Sequence, residues 1–97
     1  MADKLLAEYL YWWGFKLTGA SAFPTVVRKA QRELNAGREF SLNELMDAFS
    51  DLRRVGLVRF LPDIGDRQPA DFLHSPHHDV EFMTRGDTET LLESLRS

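Results

Sequence analysis

Leu5, Leu6, Tyr9, Leu10, Trp12 and Trp13 recur at spacings of three and four between polar residues, the period of an amphipathic helix. Asp3 stands ahead of them in a capping position, and the predicted helix runs to Gly14 or slightly beyond. A Gly-Ala-Ser-Ala turn follows. Pro24 then suits the first position of a second helix, where no amide donor is needed. Val26, Val27, Ala30 and Leu34 form its stripe, and Asn35, Ala36 and Gly37 stop it.

The third helix has the fullest local grammar. Ser41 and Glu44 make an S-x-x-E capping box, with Phe40 and Leu45 placed as a hydrophobic staple. Leu42, Leu45, Met46, Phe49 and Leu52 form its core face, Arg53 and Arg54 oppose the negative end of the helix dipole, and Gly56 supplies a left-handed cap. The helix is therefore expected from Ser41 to Val55. Leu57–Leu61 and Asp79–Thr84 alternate as strands, packing Leu57, Val58, Phe60, Val80 and Phe82, and they pair most naturally as an antiparallel ribbon. Between them, residues 62–78 carry three of the four prolines and read as a long loop. Gly86 ends the second strand, and Asp87 or Thr88 opens a last helix with Leu91, Leu92 and Leu95 on its buried side. The expected fold is α+β, mainly helical, in the order α-α-α-β-β-α.

Length keeps this within one domain spanning residues 1–97. An apolar share of 43% with 28% charged residues is that of a chain that folds. A domain of this size buries only about 60–65% of its unfolded surface, which leaves little room for a large substrate cavity. The absence of cysteine excludes disulfides, thiolate zinc sites and thiol nucleophiles, and it fits a reducing cytoplasm. The most apolar run, Tyr9 to Phe15, is too short to span a membrane, so a soluble cytoplasmic protein with no membrane partner is expected. No nucleophile elbow, H-E-x-x-H, G-x-G-x-x-G or P-loop occurs, and neither catalysis nor a cofactor is expected. His74, His77 and His78, near Asp71 and Asp79, have the donors for a divalent ion, but their spacing within a proline-containing loop fixes no convergence. A solvated polar loop is the expected reading, with no metal.

Two segments carry a resemblance. Leu52-Arg53-Arg54-Val55-Gly56-Leu57-Val58 is similar to the end of the recognition helix in winged helix-turn-helix regulators of the PadR and MarR families. Met83-Thr84-Arg85-Gly86 with Leu91 and Leu92 is similar to their Leu-Thr-x-x-Gly motif and closing helix, with one residue between threonine and glycine instead of two. The resemblance implies a winged helix-turn-helix domain with residues 62–78 as the wing, acting as a small DNA-binding transcriptional regulator. It implies further that the helix from Ser41 to Val55 enters the major groove of double-stranded DNA, its amino-terminal residues at the base edges. Asn43 can then read adenine and Ser41 can meet a phosphate. Arg28, Lys29 and Arg32 on one face of the second helix, Arg38 in the following turn and Arg67 in the wing are the candidate phosphate contacts.

Charge opposes that picture in part. The net charge is −3, and three of the five residues expected on the outer face of the third helix, Asn43, Glu44, Asp47, Ser50 and Asp51, are acidic. A protein-interaction module in which Glu44, Asp47 and Asp51 meet a basic partner is the alternative. Five of the eleven aromatic residues fall within Tyr9–Phe15, a density that suits an interface anchor built on Tyr9, Trp12 and Trp13. Adjacent helical residues lie about 100° apart, so one tryptophan must approach the boundary of the core. In the families resembled here terminal helices often build a homodimer, which adds a second copy, or another protein, to the expected partners.

Overall fold

The computed structural model describes residues 5–17 and 19–96. These residues form helix α1 (Leu6–Gly14), strand β1 (Ser21–Ala22), helices α2 (Phe23–Glu33) and α3 (Leu42–Arg54), strands β2 (Val58–Leu61) and β3 (Asp79–Phe82), and helix α4 (Thr88–Ser94). A turn of 3₁₀ helix, Pro69–Phe72, lies between β2 and β3. The class is α+β, with an antiparallel sheet in the order β1-β3-β2. Register sets Val58 against Phe82 and Phe60 against Val80 on one side of β3, and Ser21 against Val80 on the other. No helix among the described residues is long and apolar enough to cross a membrane.

Several expectations require correction. Ser21 and Ala22, read as part of a turn, are a strand, so the order is α-β-α-α-β-β-α. Two residues are too few to show alternation; their state is imposed by the free edge of β3, and the Phe23 amide continues the pairing by donating to the His78 carbonyl at 2.9 Å. Because α2 follows this strand with no connecting residue, Phe23 is its first residue and Pro24 its second. Leu34 lies one residue beyond α2 and is half-buried. Residues 62–78 are not an open loop. Ile64, Pro69 and Phe72 are buried, and Arg53 donates to the Gly65 carbonyl and to Asp63 (3.3 Å), strapping the segment to the end of α3. β2 starts at Val58 rather than Leu57 and β3 stops at Phe82 rather than Thr84, although Met83 still donates to the Leu57 carbonyl at 2.8 Å. The expected cap at Asp3 lies outside the described residues; α1 starts from Leu5, whose side chain makes no capping bond.

α3 forms as its sequence requires, except that Leu42, expected on its core face, stands in the first turn at 38% exposure. The Ser41 hydroxyl accepts from the Glu44 amide, the Glu44 carboxylate accepts from the Ser41 amide, both at 3.1 Å, and Gly56 takes φ +85° at the far end. The core is aromatic at its centre. The Phe23 ring meets Phe49 at 5.0 Å and Phe60 at 4.9 Å, both edge-on, joining α2, α3 and β2 through one side chain. Tyr11 is wholly buried, and its hydroxyl donates to the Met83 carbonyl at 2.9 Å. α1 is seated by Gly14, where a Cβ would stand only 2.3 Å from the Phe82 ring. Its closeness to β3, and with it the rotation of every aromatic on α1, depends on that missing atom.

Candidate functional site

The outer face of α3 presents Asn43, Glu44 and Asp47 to solvent, with Ser50 and Asp51 half-buried beside them. Its cations are largely engaged by acids. Arg38 meets Glu44 at 2.8 Å, Arg54 meets Asp51 at 3.3 Å, and Arg53 is spent on the strapped loop. The Arg38 guanidinium, followed by the Ser41 amide, holds the Glu44 carboxyl below its ordinary range. Asp47 is left without an ion pair among the described residues. Gln68, Pro69 and Ala70 form the opposite wall of a shallow cleft along Asn43, Met46, Asp47 and Ser50. Anything that reaches Asn43 therefore also meets the strapped loop.

The remaining expected phosphate contacts separate into two groups. Arg32 pairs with Glu33 at 3.3 Å, as Arg38 does with Glu44. Arg28, exposed, and Lys29, half-buried, form no ion pair with any described residue. Arg67 stands over the Phe72 ring at 6.0 Å. The Ser41 hydroxyl is already an acceptor in the capping box.

The aromatic residues of α1 and its C-cap Phe15 divide by exposure. Trp13 is half-buried and meets Phe82 edge-on at 6.4 Å; with Tyr9, Trp12, Phe15 and Lys16 it lines an apolar cleft toward Leu34 and Asn35. Trp12 is 38% exposed and Phe15 46% exposed. Trp12 packs edge-on against Tyr11 (5.1 Å) and Phe15 (6.0 Å), so its ring is held from two directions. The exposed pair is thus Trp12 with Phe15, at positions i and i+3 of one helix face. Sequence reasoning named Tyr9, Trp12 and Trp13 and left out Phe15, although the three-residue spacing from Trp12 was readable.

In the loop, His78 is half-buried, its Nδ1 2.7 Å from the Ser75 hydroxyl and its ring 4.3 Å from Phe72, while His74 and His77 are exposed. Among the described residues no three His, Asp or Glu side chains converge to hold a metal ion. Comparison with protein families, with characterised proteins and with solved structures gives no match.

Proposed function

We propose that this chain is a protein-docking module of winged-helix type, and that α1 presents its anchor. The element order α1-β1-α2-α3-β2-β3 and the sheet order β1-β3-β2 support the winged-helix reading, with residues 62–78 in the place of the wing. The carrying observation is the exposed Trp12–Phe15 pair. Four large hydrophobic side chains are exposed among the described residues, and two of them stand together on this helix, pre-ordered by Tyr11. A rigid aromatic pair loses little conformational freedom when covered, which is why such residues dominate interface energetics. The lack of cysteine supports a reducing, cytoplasmic setting.

Duplex DNA is the second reading, favoured by the absence of acid partners around Arg28 and Lys29. Those two with Arg67 would give a salt slope of about −2.7, a weak electrostatic grip. The acidic outer face of α3 opposes it. Photo-cross-linking residues placed at positions 15, 28 and 43 in cells separate the readings. Protein adducts at position 15 support the docking module. Nucleic-acid adducts at 28 and 43 with none at 15 overturn it.

A further inference from the structure

Two adjoining clefts make up the groove along the seam between α1 and α4. One is lined by Tyr11, Trp12 and Phe15 across from Arg85, Glu89 and Thr90; the other by Glu8 and Trp12 across from Glu89, Leu92, Glu93 and Arg96. Trp12 and Glu89 belong to both. Leu92 forms an apolar floor, 3% exposed, and Trp12 is the wall at the midpoint.

The charges of this groove are sorted by partner. Arg85 pairs with Asp87 at 3.5 Å, and Arg96 is bound to Glu8 through two nitrogens. Glu89 and Glu93 are exposed and make no ion pair within 4.0 Å among the described residues, although Glu93 lies near enough to Arg96 to help hold its positive charge. They stand at i and i+4, one turn apart on the same stripe of α4, so their carboxylates form a short acidic rail beside the aromatic wall.

Resting on the docking reading above, we infer that the α1–α4 groove receives a basic amphipathic helix of another protein. Its apolar stripe would cover Trp12 and Phe15, and its Lys or Arg side chains, one turn apart, would meet Glu89 and Glu93. Two properties select this occupant over a second copy of the chain. The exposed area of Trp12 and Phe15 totals roughly 200 Å², given side chains of about 150–250 Å². Two anchors of that size at i and i+3 match the way one amphipathic helix is held, whereas an interface of about 800 Å² per partner would need apolar surface beyond them, and Leu92, the apolar floor, is only 3% exposed. A two-fold contact also sets a surface against itself, and here both cations of the groove are already held by Asp87 and Glu8, so carboxylates would face carboxylates. A nucleic-acid strand meets the same repulsion.

The probe is a designed helical peptide of about three turns with leucine at i, i+3 and i+4 and arginines flanking them, compared with a version carrying glutamate in place of arginine. The expected result is saturable binding of the arginine peptide, with amide and indole NMR shifts confined to Trp12, Phe15 and α4. Trp12→Ala should weaken it about tenfold or more, the loss typical of an interface anchor. Glu89→Gln with Glu93→Gln should weaken it about threefold or more and remove most of its salt dependence. The glutamate peptide should not saturate, and far-UV circular dichroism should show each variant folded. The inference is overturned by equal binding of both peptides, by the absence of shifts along the seam, or by self-association that Trp12→Ala abolishes. Peptide shifts confined to α3, or reaching Trp12 and Phe15 together with Leu34 and Asn35 but not α4, would overturn it while leaving the docking reading in place. Duplex binding with no peptide response would overturn both.

Discussion

Arg96 and Glu8, 88 positions apart, meet side by side: Nε donates to one carboxylate oxygen and Nη2 to the other at 2.8 Å. Glu8 lies on the buried side of α1, its side chain 7% exposed, so the pair fastens the last described turn to the first helix. The carboxylate holds the Arg96 guanidinium above its ordinary pKa, chiefly by the hydrogen bond. Removing one partner strands the other. Arg96→Ala should lower the thermal midpoint, and Glu8→Met combined with Arg96→Met should recover part of that loss, because removing the arginine alone leaves the buried Glu8 carboxylate without its partner. Melting curves of the single and double variants read this out; equal loss in both would contradict it.

Glu44 gives a pH dependence of known sign. Its folded-state carboxyl titrates below the ordinary glutamate value of about 4.3–4.5, so it contributes stability that is fully present above that value and lost as pH falls through the lower folded one. Glu44→Gln should therefore lower the midpoint at neutral pH and differ little from the parent in strong acid. Thermal melts of both proteins from neutrality to about pH 3 test the convergence.

Gly14 is required for space and not for backbone freedom. An added Cβ would lie 2.3–2.4 Å from the Phe82 ring, and that ring packs against Trp13 at 6.4 Å and Phe49 at 6.1 Å, so moving it aside disturbs both contacts. Gly14→Ala should destabilise by about 1–3 kcal/mol in urea titration. Gly86→Ala, with nothing within 4 Å, should stay within about 0.5 kcal/mol of the parent. Phe82→Leu introduced with Gly14→Ala should return part of the loss.

The aromatic run of α1 should separate into structural and surface members. Tyr11→Phe forfeits the bond to the Met83 carbonyl and should cost about 0.5–1.5 kcal/mol. Trp12→Ala should cost less than Trp13→Ala, since Trp12 is exposed while Trp13 is half-buried against Phe82. Chemical denaturation of the three variants gives the order directly.

Much of the architecture was legible where local chemistry decides it. The α3 boundaries follow from Ser41, Glu44 and Gly56, each acting within its own turn, and α2, β2, β3 and α4 followed from periodicity. β1 was not legible, because Ser21 and Ala22 are strand only by virtue of β3. Nor was the ordered part of the loop: Ile64, Pro69 and Phe72 are isolated apolar residues among polar ones, and their burial depends on Arg53 reaching Asp63 and Gly65. For the site, the need for one boundary tryptophan was readable, but which one was not, since the rotation of α1 is set by contact between Gly14 and Phe82 across the fold. The pairing of Arg38 with Glu44 was likewise hidden, because it depends on how the turn after α2 returns to α3.

Phe23 is the opening residue of α2, a backbone donor to His78 beside β3, and a ring wedged between Phe49 and Phe60. No hinge therefore separates this helix from the sheet. Any tilt of α2 must break the Phe23–His78 bond or unseat the Phe23 ring from between Phe49 and Phe60.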